Sequence, residues 1–187
     1  MKSDLYRHAG QADLRTFLLY MLQSPGFKCA FWLRFVAWLR IQQSAVRLLH
    51  PAAGFVKQHL GNKYGISIPA STVIGPGLCI DHFGGIFVNG SCVIGKDCTV
   101  SQNVTLGRAN RGRRRGAPVI GDRVYIGPGA KVVGAVRVGS DVAIGANAVV
   151  TEDVPDSAVV GGVPAKVLSY DGSAGYVNRT DYPTPLD

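Results

Sequence analysis

From residue 68 to residue 150 an aliphatic side chain returns at every sixth position. Ile68, Ile74 and Ile80 open the series, and Val88, Ile94, Val100 and Leu106 continue it after a slip of two residues. Ile120, Ile126, Val132, Val138, Ile144 and Val150 complete it after a longer interruption. Glycine follows directly at Gly75, Gly95, Gly107, Gly121, Gly127, Gly139 and Gly145, and a small or modest residue sits four places on, as at Cys92, Cys98, Ala130 and Ala148. A period of six suits neither a helix of 3.6 residues per turn nor an alternating strand. It suits a triangular solenoid, in which one hexad forms a short strand and a corner and three hexads form a coil. Stacked parallel coils then turn the aliphatic positions into a continuous interior column. Small residues belong where the chain turns inward, because a bulky side chain would overfill the corner.

The flanks read differently. Residues 1–62 are predicted as a helical cap, with one apolar stripe at Phe17, Leu18, Met21 and Leu22 and another at Phe31, Trp32, Phe35, Val36, Trp38 and Leu39, separated by Ser24-Pro25-Gly26. Residues 63–168 form the solenoid, with a loop protruding at 107–118. Beyond Val150 the hexad fades, Pro155 and Pro164 are expected to end regular pairing, and 169–187 reads as a loose tail. A hydrophobic content of 47% excludes disorder. No apolar run reaches the roughly 18 residues of a spanning helix, and no secretory signal pattern is visible. Cys29, Cys79, Cys92 and Cys98 fit no zinc spacing and read as free thiols in a reducing, cytoplasmic compartment.

The net charge of +8 is unevenly placed. Residues 1–60 hold eight Lys or Arg against Asp4 and Asp13, and five arginines crowd between Arg108 and Arg115. Such clusters attract acidic partners. Nucleic acid is not expected, because no recognition motif and no interleaved aromatics accompany the arginines. The basic, aromatic-rich N-terminal segment suits either packing on the solenoid or a neighbouring subunit, or peripheral contact with the inner face of a membrane.

One titratable pair interrupts the repeat, Asp81-His82 in IDHFGG. His82 lies two residues after the inward Ile80, so it faces out at a corner where the slip makes the chain bulge. A neutral histidine there suits a general base near pH 7. Asp81 would bind substrate or stabilise the imidazolium. No serine or cysteine has an evident activating partner, so a ternary complex is expected rather than a covalent intermediate. Backbone N–H groups at glycine turns would stabilise an oxyanion. The chemistry requires no metal, and His8, His50 and His59 have no ligand spacing and read as ordinary.

The stretches IDHFGGIFVNGSCVIG, SQNVTLG and GGVPAKV, in that order around the interrupting loop, resemble the hexapeptide-repeat acyltransferases, most of all the serine acetyltransferase branch. The resemblance covers about residues 60–168. It implies a left-handed parallel β-helix, acetyl-CoA as donor, a homotrimer with sites between subunits, and His82 as the base with Asp81 beside it. It places the donor along Gly107, Arg108, Gly127, Ala130, Gly145, Ala146 and Lys166, and the acceptor near Asp81, Asn103, Arg113 and Arg114. Two positions depart from that branch: Ser67 stands where it carries an aspartate, and Ala117 where it carries a histidine before the proline that closes the loop. Both departures remove groups tied to an amino-acid acceptor. With the short cap they resemble the enzymes of capsule and exopolysaccharide synthesis, and the expected activity is O-acetylation of a sugar hydroxyl. Serine O-acetylation in cysteine biosynthesis is the alternative, and a non-enzymatic scaffold for an acidic partner is another.

Overall fold

The hexads fold as the short strands they predict. In the computed structural model, which describes residues 1–182, they form three parallel faces of a left-handed β-helix. The first face stacks Ile66–Ser67, Ile86–Val88, Thr105–Gly107, Lys131–Val133 and Val149–Val150. The second stacks Val73–Ile74, Val93–Ile94, Val119–Ile120 and Arg137–Val138. The third begins with Cys79–Ile80, Thr99–Val100, Tyr125–Ile126 and Ala143–Ile144. The register sets like on like: Ile80 pairs with Val100, Val100 with Ile126 and Ile126 with Ile144. Twelve of the thirteen hexad aliphatics are buried, and Ile74 is half-buried against the same core. The inward corner residues Cys92, Cys98, Val104, Val124, Ala130, Val136, Val142 and Ala148 are buried too, which is why they are small.

The repeat runs further than the sequence suggested. Val159–Gly161 adds a fifth parallel strand to the third face, pairing Val160 with Ile144. Pro155 does not stop it, because the proline sits in the turn, where its carbonyl accepts from Ala158 N–H. Only then does Lys166–Ser169 double back antiparallel. The stretch beyond is not loose as far as Tyr182. Ser173 Oγ donates to Arg123 O at 2.6 Å, the Tyr176 ring stacks on Tyr125, and Tyr182 Oη donates to Asp97 at 2.6 Å. Residues 183–187 of the predicted tail lie outside the described residues.

Four helices cover the first coil: α1 (Lys2–Ala9), α2 (Leu14–Gln23), α3 (Pro25–Ile41) and α4 (His50–Tyr64). Asp13 caps α2 by accepting from Thr16 N–H, and Ser24 caps α3 by accepting from Phe27 N–H with Pro25 at its first position. Ser24-Pro25-Gly26 is therefore the start of α3 as well as the end of α2. The helix packs Phe27, Ala30 and Leu33 inward. Gly26 lets it approach so closely that any side chain there would overlap the carbonyl of Ile80. A buried ion pair fastens the layer. Asp4 receives Leu78 N–H at 2.8 Å and the Arg34 guanidinium, which also donates to Ile74 O and Gly75 O at 3.1 and 2.6 Å.

Candidate active site

The slip in the hexads places Asp81 and His82 at the corner where the third face hands over to the first, between Ile80 and Ile86. The extra residues are accommodated by Gly84 and Gly85 at φ 104° and 66°, a backbone region that side chains disfavour. Asn103 of the next coil stacks directly on this bulge. Its N–H donates to Gly84 O at 2.8 Å, and a side chain on Gly85 would collide with its Oδ1. The column continues upward through Gly129 N–H to Gln102 O and Asn147 N–H to Pro128 O, at 2.9 and 2.8 Å. One edge of the solenoid thus brings together Asp81, His82, Asn103, Gly127, Ala130, Gly145 and Ala146.

His82 is exposed and makes no hydrogen bond among the described residues, so its ring is free to receive a proton. Asp81 is exposed and accepts from the Cys79 thiol at 3.2 Å. Burial, with the Asp81 charge adding to it, pushes the Cys79 thiol well above the ordinary thiol range, so it is a donor here and not a nucleophile. The methyl of Ala130 is in the core, which leaves only its main chain to face a ligand. Gln102 Oε1 is buried at this edge with no partner among the described residues.

His8 was read as ordinary, but it supports the site. Ile80 N–H donates to its Nε2 at 3.2 Å, so Nδ1 carries the proton and donates to Asp4 O at 2.7 Å. Burial depresses its basicity and keeps it neutral. The ring thereby clamps α1 to the residue that precedes Asp81-His82. No spacing could have shown this, because the partners are 72 residues apart.

Gly107, Arg108, Arg113 and Arg114 lie at the other edge of the first face. The loop is a hairpin pinned by Ala109 and Gly116, which exchange both backbone hydrogen bonds. Arg114, expected near the acceptor, is engaged within the chain. It donates to Glu152 Oε2 at 2.5 Å and Asp153 Oδ1 at 2.9 Å, so the chain's own acids neutralise it. Glu152 and Asp153 follow the last hexad and stack beside the loop, a proximity that only coil geometry creates. Arg113 is 82% exposed and reaches Glu152 at 3.5 Å. Arg108, Arg111 and Arg115 are exposed, with no ion pair among the described residues. Lys166 is exposed on the antiparallel strand at the far end of the third face.

A cavity of about 340 Å³ opens between α4 and the first face, lined by Lys57, Gln58, Asn62, Ser67 and Phe87. It adjoins the bulge: Gly65 on its wall accepts from Ile86 N–H at 2.9 Å, and the Tyr64 ring sits 5.5 Å from that of Phe83, the residue after His82. Burial lowers the Lys57 ammonium from its usual value.

The family described as "Bacterial transferase hexapeptide (six repeats)" matches residues 117–152. A serine acetyltransferase of Mycobacterium tuberculosis is 41% identical over 144 residues, 77% of this chain and 61% of that protein. A serine acetyltransferase solved in complex with CoA is 30% identical, with a TM-score of 0.70 over 89% of this chain and 67% of that one. The chain belongs to the hexapeptide-repeat transferases and is a homologue of the serine acetyltransferases. The Neisseria gonorrhoeae serine acetyltransferase solved in complex with serine is 33% identical, with a TM-score of 0.71 over 89% of this chain and 66% of that one. The chain spans about three fifths of the length of the Mycobacterium relative. These relatives overturn the expectation of a capsule or exopolysaccharide acetyltransferase acting on sugar. That expectation rested on two side chains, Ser67 and Ala117, and identity spread over 77% of the chain outweighs them.

Proposed function

We propose that this protein is a serine O-acetyltransferase that moves the acetyl group of acetyl-CoA to the hydroxyl of L-serine. The observation that carries the reading is the 41% identity to a serine acetyltransferase across a stretch that includes the exposed Asp81-His82 corner. His82 removes the hydroxyl proton as the serine oxygen attacks the thioester carbonyl. Collapse of the tetrahedral intermediate breaks the C–S bond, and the imidazolium returns the proton to the departing CoA thiolate. Asp81, the preceding residue, is available to contact the substrate. The donor runs along the edge past Asn103, Gly127, Gly145 and Ala146. Buried Gln102 Oε1 suits an amide N–H there, since a buried acceptor without a donor is costly.

The cavity under α4 answers the loss of the family's aspartate at Ser67. Lys57 supplies a cation for the amino-acid carboxylate, and Gln58 and Asn62 supply polar contacts, so the helical layer takes over the grip on the head group. A homotrimer is part of the proposal. Gly107 and Arg108 lie across the first face from His82, and only a neighbouring copy would bring that second edge to the first. No metal enters the chemistry.

Purified protein assayed with acetyl-CoA and L-serine for thiol release tests the reading. Turnover with serine that falls about 10²–10⁴-fold in His82→Ala, with the Michaelis constant for acetyl-CoA unchanged, is expected. No serine-dependent thiol release would refute it, and full activity in His82→Ala would place the base elsewhere.

A further inference from the structure

Residues 14–80 contain no aspartate or glutamate and seven lysines or arginines. Arg34 is held by Asp4, and the other six, Arg15, Lys28, Arg40, Arg47, Lys57 and Lys63, have no carboxylate within ion-pair distance among the described residues. The same stretch builds most of the helical layer, whose outer side is apolar. No residue of α2 is buried, and its Leu14, Leu18 and Leu22, spaced to share one stripe, stand in the open. Leu14, Leu22, Ile41, Leu48 and Phe55 are each between 73% and 81% exposed. Along α3 runs an aromatic ridge whose Phe35 packs in part on Val36, Leu39 and Ala53 and whose Trp38 is exposed. Phe17 meets Phe31 at 5.3 Å, Phe31 stacks on Phe35 at 6.1 Å, and Phe35 on Trp38 at 5.9 Å.

An apolar, aromatic surface studded with cations, on which Asp13 is engaged in capping α2, selects its partner. A second copy docked through the same face would set Arg15, Lys28, Arg40 and Arg47 against their counterparts with Asp13 alone to offset them, so self-association there is opposed by charge. No helix among the described residues is long and apolar enough to cross a bilayer. We propose that the outer face of α2 and α3, with the turn at Ala45–Leu49, docks on the surface of an anionic lipid bilayer. The leucines and aromatic rings enter the headgroup boundary, and the cations meet the lipid phosphates, their aliphatic stems lying along the apolar surface. An acidic protein fits less well, because the largest exposures belong to projecting apolar side chains. This inference does not depend on the acceptor being serine.

Full-length protein is floated with vesicles of phosphatidylcholine alone or of phosphatidylcholine with phosphatidylglycerol, at low and high salt. Binding to the anionic vesicles alone, weakened by salt, is expected. In a Trp32→Phe background, Trp38 emission should shift to the blue on binding. Leu14→Ser/Leu18→Ser/Leu22→Ser should remove flotation, and, because these side chains are exposed, the melting temperature should hold. Arg15→Ser/Arg40→Ser/Arg47→Ser should weaken binding about a hundredfold, from the attraction each cation gains near such a surface, and flatten the salt dependence. The proposal is overturned by no flotation with anionic vesicles, by equal binding to both compositions, or by vesicle-independent self-association that the leucine variant abolishes. Binding to polyglutamate with a Trp38 shift but none to vesicles would also overturn it, assigning the face to an acidic protein.

Discussion

Arg34→Met tests how the helical layer is joined to the solenoid. In the native protein the Asp4 carboxylate is 2% exposed and the Arg34 side chain 20%. After the change Asp4 keeps Leu78 N–H at 2.8 Å and the terminal amine at 3.9 Å. It loses the guanidinium, and the carbonyls of Ile74 and Gly75 lose a donor. Removing one partner of a buried pair costs about 3–5 kcal/mol, because the remaining charge is stranded. The partial exposure of Arg34 puts the expected cost near the lower end, about 3 kcal/mol. Asp4→Asn/Arg34→Met strands no charge, so it should be less destabilised than the two single variants together, with a coupling on the order of 1–3 kcal/mol. Urea unfolding of the four proteins, followed by circular dichroism at one protein concentration, measures both quantities. An Arg34→Met loss below about 1 kcal/mol, or strict additivity, would refute the view that this pair holds the layer in place.

Three further outcomes are expected. His8 stays neutral in the fold while the unfolded chain keeps the ordinary value of 6.5. The unfolded state therefore binds the proton first, so stability is fully present above about 6.5 and falls as pH drops towards the lower native value. His8→Gln should erase that acid-side slope in urea midpoints, and an unchanged slope would assign it to another group. Gly85→Ala, at φ 66° and against Asn103, should cost about 1–3 kcal/mol and lower serine turnover through displacement of His82. A near-native rate would show that the bulge does not position the base. Arg114→Ser should speed proteolytic nicking of the 107–118 loop, whereas Arg115→Ser, with no ion pair among the described residues, should not; equal nicking in both would refute the clasp.

The solenoid was legible because its core is a property of spacing. Thirteen aliphatics at one interval allow few architectures, and the slip after Ile80 pointed to the corner where the structure places Asp81-His82. What escaped notice depends on contacts between coils or between layers. The fifth strand of the third face was hidden by Pro155, which reads as a breaker in one dimension and sits harmlessly in a turn in three. His8 and the cavity under α4 were invisible because each joins helical residues to strands far away in sequence. The arginine cluster was legible as charge but not as structure, since Glu152 and Asp153 meet it only once the coils stack. The acceptor was misread because two departures from a pattern were weighed at the coil alone, without the helix that lies over Ser67.

The segment after Ser169 bears on how many coils the protein can have. Gly172 and Ser173 pack at Asp141 and Arg123, Tyr176 stacks on Tyr125, and Tyr182 reaches Asp97 beside Gly77. The segment descends one corner from the top of the solenoid to its base, where Arg179 also grips α1 through His8 O. Repeat proteins elsewhere lengthen or shorten freely, because each unit touches only its neighbours. Here the descending segment is a ruler. One extra coil raises the top by about 4.8 Å, and the Tyr182 hydroxyl, 2.6 Å from Asp97, has no slack to follow. An inserted coil would therefore part at least one of these contacts, so the segment matches the number of coils it spans.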